Sequence, residues 1–576
     1  MSSVTFEDVV QRYRESGSNS ERGTRFEELM VDYFGLDPVL ADRYENVSRW
    51  IDWDHRAGAV DTGIDLVAQD RASGEWTAIQ CKFYEPDHHL AKSDIDSFFT
   101  ASGKTWDGVS FDNRIIISTT DRWSVHAEDA LDGQRIPVQR IGVEHLTASP
   151  IDWAFASPDG LRVEIERAAR FRTLPHQDEA IASIVSGLEE LDRGQWISAC
   201  GTGKTFTSLK LAERLSEARG GSLRVLFLAP SIQLVAQTLR EWTAQSAADL
   251  RAFVVCSDTS ASRAAEDISP HDLPLPASTD PVELRDRLAA GRRGAGLSVV
   301  FSTYQSVGVV AEAQSLGADA FDLILCDEAH RTTGVQLAGE SESAFTRVHD
   351  AQFLRGSKRL YMTATPRMFG DDVKNRADEH SAVLSSMDDE SIFGPVLHRL
   401  GFGDAVERKL LTDYKVMVLA VAEEQMAAPM QLMQATGDVE IPLDDAAKIM
   451  GCWNTLAKRT RAGDPHPAFG VNEAPMRRAV GFLENIKSSK RVAEAFELVV
   501  EAQGGAEATA RLAVDARHVD GTMNALTRAE RLSWLKAPLP DGQCRILTNA
   551  RCLTEGVDVP ALDAVIARFR ELAHAL

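Results

Sequence analysis

Short apolar runs alternate along the chain with segments whose apolar residues recur at helical spacing. In one such segment Phe206, Leu209 and Leu215 repeat at helical intervals until two glycines follow. Four apolar runs have the composition of buried parallel strands that are covered on both faces. They occupy residues 195–199, 225–231, 298–306 and 321–326. This alternation predicts a parallel α/β sheet in the middle of the chain.

The N-terminal region opens differently, with an amphipathic helix. Residues 23–34 place Phe26, Met30 and Tyr33 on one helical face. Glu27 lies beside that face, so we expect its carboxylate to be available to a neighbouring strand.

A β-hairpin is predicted next. Two apolar runs, residues 63–68 and 76–82, flank a turn that contains glycine. Asp65 lies near the start of one strand, and Gln80 and Lys82 lie near the end of its partner. Gln80 and Lys82 are two residues apart and therefore share a face. The hairpin should bring these three polar side chains together.

The last third of the chain predicts a second sheet. Its apolar runs and one helix occupy residues 414–421, 444–458, 476–483, 519–523 and 545–549. At 576 residues the chain is too long for one hydrophobic core. We predict three domains, at residues 1–155, 160–400 and 401–576. The proline-rich residues 268–278 read as a surface loop with no assigned chemistry.

Composition narrows the class of protein only slightly. An apolar content of 44% with 26% charged residues is ordinary for a globular protein. The net charge of −24 does not exclude nucleic acid, because local patches steer binding. The 7 cysteines are scattered without a C-x₂-C pair, which suits a reducing cytosol. No signal peptide or membrane span is evident, so we predict a cytoplasmic protein without membrane contact.

A phosphate-binding loop is the strongest chemical signal. Gly201 and Gly203 let the backbone curl so that N–H groups, including that of Thr202, point at phosphate oxygens. Lys204 can reach the β- and γ-phosphates, and the Thr205 hydroxyl can ligate Mg²⁺. A chance glycine-rich turn is the alternative. The strand before the loop and the helix after it favour the nucleotide site.

The second signal is an apolar strand, residues 321–326, that ends in Asp327 and Glu328. Ligands bind at the carboxyl ends of parallel strands, so Asp327 is placed to hold Mg²⁺ and Glu328 to orient the attacking water. With Ala329 and His330 these residues spell DEAH. The motifs together resemble the superfamily 2 helicases and translocases of the DEAH-box kind over most of residues 165–568. ATP and Mg²⁺ are the cofactors that this resemblance implies.

Further residues take their expected roles from the same resemblance. His330 and Gln177 would contact the nucleotide, Gln177 at the adenine edge, although a solvated glutamine at a helix start is the alternative. Thr363 and Thr365 would couple nucleotide state to domain closure. The residues expected near the γ-phosphate across the cleft are Gly556 and Asp558. Phosphate contacts to nucleic acid would come from the segments that contain Pro230, Thr303 and Tyr304. As isolated residues, Thr303 is as often a strand cap, and Tyr304 as often a core aromatic, as a ligand.

The N-terminal constellation resembles the PD-(D/E)xK nuclease core, in the Mrr-like variant with glutamine at the second acidic position. The resemblance implies that Asp65 and Gln80 are Mg²⁺ ligands, Lys82 the catalytic lysine and Glu27 the acid from the helix. Oxygen ligands of this type suit Mg²⁺. An ordinary hairpin with a polar edge is the alternative. The expected fold is a restriction-endonuclease-like α/β domain followed by two RecA-like parallel-sheet α/β domains, the second incomplete.

The final residues depart from the helicase pattern. The family continues with a Q-x-x-G-R-x-x-R helix that supplies an arginine finger, whereas this chain reads RFRELAHAL from residue 568. We therefore expect ATP binding with weak hydrolysis. The leading hypothesis is a restriction translocase with an endonuclease, acting on double-stranded DNA with methyltransferase and target-recognition domains or subunits as partners. The alternatives are a non-cleaving nucleic-acid remodeller or sensor and an inactive truncated remnant.

Overall fold

A computed structural model of the chain comprises two compact units. One is formed by residues 1–259 with 268–413, and the other by residues 260–267 with 414–576. The structure describes residues 4–15, 17–59, 63–71, 73–153, 165–256, 270–273, 275, 277–290, 296–336, 343–370, 383–413, 443–458, 474–502, 512–520, 523, 525–550 and 562–567. Within these ranges, no helix combines the length and the apolar character needed to cross a bilayer. The predicted division into three domains stays a prediction.

The N-terminal part of the first unit is a five-stranded mixed sheet with the order β1-β2-β3-β4-β5. Its strands are β1 (Tyr44–Arg49), β2 (Leu66–Asp70), β3 (Trp76–Lys82), β4 (Phe111–Ser118) and β5 (Val138–Ile141). Its helices are α1 (Phe6–Glu15), α2 (Asn19–Leu36), α3 (Pro38–Arg43), α4 (Lys92–Ser102), α5 (Val125–Asp129) and α6 (Val143–Ala148). The predicted hairpin is confirmed, because β2 pairs antiparallel with β3.

Alternation along β3 separates two hydrophobic cores. Ile79 packs with Phe26 of α2 on one face of the sheet, whereas Ala78 packs with Phe98 of α4 on the other. The predicted amphipathic helix is α2, which begins after Ser18 with a reciprocal capping box. The helix is therefore held with its apolar stripe on the sheet, and Glu27 follows Phe26 along it.

A seven-stranded parallel sheet forms the rest of the first unit, in the order β10-β11-β9-β12-β14-β8-β16. Its strands are β8 (Arg193–Ser198), β9 (Ser222–Ala229), β10 (Leu250–Val255), β11 (Gly296–Thr303), β12 (Phe321–Cys326), β14 (Gly356–Thr363) and β16 (Val396–Leu400). Two small antiparallel pairs accompany it, β6 (Ile151–Asp152) with β7 (Glu166–Arg167) and β13 (Gly334–Gln336) with β15 (Val383–Ser385). All four predicted parallel strands are found.

Helices cover both faces of this sheet, as the apolar runs predict. They are α7 (Pro175–Glu190), α8 (Lys204–Ala218), α9 (Ile232–Gln245), α10 (Pro281–Ala290), α11 (Val307–Ser315), α12 (Glu390–Phe393) and α13 (Phe402–Glu407). Along β9, Val225 and Phe227 belong to one core cluster, while Leu226 and Leu228 belong to the other. Burial on both faces explains why the run lacks polar alternation.

The second unit holds a four-stranded parallel sheet with the order β18-β19-β17-β20. Its described strands are β17 (Arg478–Phe482), β18 (Ala513–Val519), β19 (Gln543–Asn549) and β20 (Ala564–Ala567), and its helices are α14 (Leu443–Leu456), α15 (Ile486–Ala502) and α16 (Ala525–Lys536). The predicted helix at 444–458 is α14. The strand predicted at 414–421, the residues Gly556 and Asp558, and the chain from 568 onward lie outside the described residues.

Candidate active sites

The strand order brings the nucleotide-binding motifs to one edge of the seven-stranded sheet. The phosphate loop follows β8, the acidic motif follows β12, and Thr363 ends β14, which lies between those two strands. All three strands are parallel, so their carboxyl ends share one edge. This edge is where α/β sheets bind ligands.

The phosphate loop is shaped by two glycines with left-handed backbone. Gly201 has φ of 81° and Gly203 has φ of 82°, and α8 begins directly afterwards at Lys204. A Cβ atom at Gly203 would lie 2.5 Å from the Gln177 amide nitrogen. Within the loop, the Thr202 hydroxyl donates to the Ala199 carbonyl at 2.7 Å, and Lys204 Nζ donates to the Ser198 carbonyl at 3.1 Å. The loop therefore has the curl that phosphate binding requires.

The acidic motif forms a charged cluster with this loop. His330 Nδ1 lies 3.3 Å from a Glu328 carboxylate oxygen and 3.0 Å from Thr363 Oγ1. Burial raises the pKa of Glu328, but the hydrogen bond with His330 and the charge of Lys204 outweigh it, so the pKa is lowered. Glu328 is consequently a carboxylate at neutral pH. Lys204 and Glu328, which are far apart in the sequence, act on each other in one site.

Gln177 lies against the phosphate loop. Its amide nitrogen donates to the Thr202 carbonyl at 3.3 Å, and its carbonyl oxygen accepts from the Leu174 N–H at 2.9 Å. His176, which sequence reasoning missed, also contacts the Thr202 carbonyl through Nε2 at 3.1 Å. The only sequence signal for His176 was its place beside Gln177. The adenine contact of Gln177 stays a prediction, and the amide keeps one N–H and one carbonyl lone pair beyond these two hydrogen bonds.

The two threonines of the third motif differ in exposure. Thr363 is fully buried, and its Oγ1 also accepts from the Thr365 N–H at 3.1 Å. The Thr365 side chain is exposed. Thr363 is thus the residue that links β14 to the acidic motif through His330, and the coupling role predicted for both threonines stays a prediction.

The residues predicted to contact nucleic acid all lie inside the domain. Pro230, Thr303 and Tyr304 are buried. Thr303 Oγ1 donates to Ser306 Oγ at 3.0 Å, and the Tyr304 hydroxyl donates to the Asp327 carbonyl at 2.7 Å. Contact of these side chains with nucleic acid would therefore require a rearrangement of the segment. In this structure Tyr304 supports the acidic motif.

The nuclease cluster is centred on the ends of β2 and β3. The Cys81 backbone N–H donates to a carboxylate oxygen of Asp65 at 2.7 Å. Gln80 is 1% exposed, and its amide nitrogen donates to the Gly63 carbonyl at 3.0 Å. The Gln80 carbonyl oxygen is buried and accepts no hydrogen bond. An amide held in this way keeps a buried oxygen without a hydrogen-bond donor, which costs free energy unless a ligand binds to that oxygen.

The pKa of the Cys81 thiol depends on three charged side chains near it. Burial raises the pKa of its thiol well above the usual range, the charges of Asp65 and Glu27 raise it further, and the charge of Lys82 opposes them. Asp65, Glu27 and Lys82 are therefore all close enough to act electrostatically on the partly buried Cys81 thiol. Sequence reasoning missed Cys81, although it lies between Gln80 and Lys82 in the strand that was singled out.

The donor set fits a hard divalent cation. Asp65 and Gln80 would supply a carboxylate and an amide oxygen, the ligands that Mg²⁺ accepts together with water and substrate phosphate. Among the described residues, no group of three or more His, Cys, Asp and Glu side chains could hold a metal by itself. A cation here depends on the neutral oxygen of Gln80. In the motor site, Thr205 and Asp327 are the residues that would hold Mg²⁺.

Comparison with known proteins agrees with the class of both domains. Residues 35–161 match the Mrr_cat_2 family, described as a restriction endonuclease, and residues 170–368 match the ResIII family, described as the type III restriction enzyme res subunit. The chain joins a restriction endonuclease domain to a helicase domain of the restriction-enzyme kind.

Particular relatives make the likeness more specific. The chain is 36% identical to the ATP-dependent type ISP restriction-modification enzyme LlaBIII bound to DNA, with a TM-score of 0.80 over 98% of this chain and 35% of that one. A probable helicase of African swine fever virus (strain Badajoz 1971 Vero-adapted) is 28% identical over 287 residues, which is 48% of this chain and 28% of the viral protein. The chain thus spans about a third of the length of these relatives.

Proposed function

We propose that this chain is an ATP-dependent DNA translocase coupled to a Mg²⁺-dependent endodeoxyribonuclease, and that it acts in restriction of foreign DNA in the cytoplasm. The observation that carries the proposal is the meeting of Lys204, Glu328, His330 and Thr363 at one sheet edge, in the same compact unit as the nuclease cluster.

The motor residues divide the work of ATP hydrolysis. The loop N–H groups and Lys204 bind the phosphates, while Thr205 and Asp327 would hold a Mg²⁺ that would neutralise developing charge. Glu328, kept as a carboxylate, orients water for attack. His330 lies between Glu328 and Thr363, so a change at the γ-phosphate reaches β14. Gly556 and Asp558 would face the same phosphate.

The nuclease residues would cut a phosphodiester bond. Asp65 and Gln80 would hold Mg²⁺, which when bound would supply positive charge for the phosphate and activate a water. Lys82 would stabilise the negative charge on the attacked phosphate. Glu27, on α2, would bind water molecules in the site. The substrate is double-stranded DNA. Recognition and methylation would come from methyltransferase and target-recognition domains or subunits.

A plasmid assay tests the coupled activity. We expect wild type to nick DNA with Mg²⁺ and ATP, and Lys82→Ala to lose cleavage while keeping DNA binding and DNA-stimulated ATP turnover. Lys92→Ala is the control, since Lys92 is an exposed lysine paired with Asp96 on α4. If wild type and Lys82→Ala both bind DNA and leave it intact, the chain is a non-cleaving remodeller. If ATP turnover is also absent, the chain is an inactive remnant.

A further inference from the structure

A loop of the motor sheet makes a charged contact with the nuclease sheet. The loop, here called the docking loop, comprises residues 270–273 and 275 and lies between β10 and α10. Leu273 and Leu275 are buried in the motor core at 0% and 2% exposure. The sequence pattern indicated only a surface loop at this position. Its two buried leucines instead anchor it in the motor, so its tip is held in place.

The tip of the docking loop binds the edge strand of the nuclease sheet. Arg140 on β5 contacts Asp272 with two nitrogens: Nε bonds one carboxylate oxygen, and Nη2 donates to the other at 3.0 Å. The two side chains are only 17% and 14% exposed. A paired, two-point contact of this kind is directional and is screened little by solvent. The guanidinium also lies 5.5 Å over the Trp123 ring.

Backbone contacts fix the same position. His145 Nε2 lies 2.6 Å from the Asp272 carbonyl, and His271 Nδ1 lies 2.7 Å from the Val138 carbonyl on β5. The edge strand of a sheet exposes unpaired backbone groups, and His271 satisfies one of them. The docking loop therefore closes the β5 edge of the nuclease sheet as well as pairing charges with it.

A second contact lies away from the loop. Val39 of α3 is 5% exposed and belongs to the hydrophobic core cluster of the motor sheet. A third contact is the ion pair of Arg287 on α10 with Glu75, at 3.5 Å. Because the docking loop, Val39 and Arg287 contact the other domain at separate places, the nuclease domain cannot turn about any one of them. β5 pairs with β4, and β4 pairs with β3, which carries Gln80 and Lys82. The docked edge is thus two strands from the nuclease cluster.

We propose that the docking loop holds the nuclease as one rigid body with the first motor sheet, and that this attachment is needed for DNA cleavage driven by ATP but not for ATP hydrolysis itself. The inference rests on the proposed function for its activity readout. Cleavage coupled to movement requires the cutting residues to keep a constant position relative to the part that moves along DNA.

The test removes the charge pair in the full chain. Asp272→Ala leaves the Asp272 backbone carbonyl in place, so it deletes only the two-point contact with Arg140. We expect hydrogen exchange of β5 amides to rise at least tenfold, ATP-dependent cleavage to fall at least tenfold, and DNA-stimulated ATP turnover to stay within twofold of wild type. Asp272→Glu should recover most of the cleavage. Asp319→Asn, which removes a carboxylate from a motor ion pair with Arg224, is the control and should change none of these.

Each other outcome overturns the proposal. Unchanged exchange in β5 means that the loop does not hold the nuclease. Raised exchange with unchanged ATP-dependent cleavage means that rigid attachment is not needed for cutting. A parallel loss of ATP turnover means that Asp272 supports the motor fold instead. If wild type does not cleave DNA, the proposed function fails, and with it the claim that ATP-dependent cleavage needs the attachment. The exchange measurement still decides whether the docking loop holds the nuclease.

Discussion

The motor site and the nuclease site both combine a lysine with carboxylates, but their polar groups are paired to different extents. In the motor site, Glu328, His330 and Thr363 are in contact, and Lys204 lies near enough to lower the pKa of Glu328. In the nuclease site, the Gln80 carbonyl oxygen is buried without a hydrogen bond. Charges within the motor site offset one another, whereas the nuclease site leaves an acceptor unsatisfied. DNA cleavage should therefore depend more steeply on the Mg²⁺ concentration than ATP turnover does.

The largest expected effect comes from removing the positive charge of the motor site. Lys204→Ala should lower ATP turnover by about 10²- to 10³-fold, as loss of one group that binds developing phosphate charge does. Cleavage measured with Mg²⁺ in the absence of ATP should be unchanged. Arg214→Ala on the same helix is the control, since Arg214 forms an exposed pair with Glu217. Turnover within twofold of wild type in Lys204→Ala would remove the basis for the motor assignment.

Gln80→Glu sharpens the comparison by adding a carboxylate where the neutral oxygen now lies. We expect the Mg²⁺ concentration for half-maximal cleavage to fall about tenfold, the factor that about 1.4 kcal/mol supplies. Gln80→Leu should abolish cleavage. Gln69→Glu on β2 is the control, because that amide bonds Asn46 and Gly74 away from the cluster. A Mg²⁺ requirement that is the same in wild type and Gln80→Glu would show that Gln80 is not a ligand.

Thr363→Val tests the link between the acidic motif and β14. Valine keeps the shape but loses the contacts with His330 and the Thr365 N–H, at a cost of about 1 kcal/mol, and ATP turnover should fall about fivefold. Titrating ATP separates kcat from KM: the fall should be in kcat. Thr346→Val is the matched control, because Thr346 is partly exposed and its hydroxyl donates to the Ser343 carbonyl. An effect confined to KM would indicate a role in binding alone.

Acid should destabilise both regions, because each contains a histidine held neutral. Burial lowers the pKa of His349 in the motor part and of His145 in the nuclease part to about 4. The unfolded chain binds a proton near pH 6.5, so stability should fall as pH drops from about 6.5 to about 4, with a slope of at most about 1.4 kcal/mol per unit for each histidine. Urea unfolding at pH 7 and pH 5 measures this fall in the free energy of unfolding.

Variants separate the contributions of the two histidines. His349→Gln and His145→Gln should each remove one histidine's share of the acid-dependent loss of stability. Arg193 and Arg359 also lower the pKa of His349, and the hydrogen bond with the Thr332 carbonyl opposes them. If the slope of the free energy of unfolding against pH is unchanged in both variants, other groups dominate the loss of stability in acid.

The smallest effect is expected at the exposed pair Arg408–Glu179, whose side chains are 48% and 52% exposed at 2.7 Å. Solvent screens such a pair, so Arg408→Ala should leave the unfolding midpoint unchanged within error. Calorimetry checks this. A clear drop in the midpoint would show that α13 and α7 are held together by more than surface charge.

Much of the fold was predictable, because strands and helices follow local patterns. The hairpin β2–β3, the four buried strands and the helix at α14 all have periodicities that extend over several residues. The phosphate loop was equally readable, since only glycine adopts the left-handed backbone of positions 201 and 203 without strain. Predictions about single side chains were weaker. Tyr304 has the same sequence context whether it faces DNA or, as here, donates to Asp327 inside the domain.

By itself, the sequence determined that a glycine-rich turn and two carboxylates end strands of one parallel sheet, and that a helix and a hairpin carry Glu27, Asp65, Gln80 and Lys82. These features depend on neighbours along the chain. Only the tertiary structure decided that β14 lies between β8 and β12, that Gln80 keeps an unsatisfied oxygen, and that Arg140 binds Asp272 across 132 positions. Contacts between distant residues depend on strand order and packing, which leave no periodic trace in the sequence.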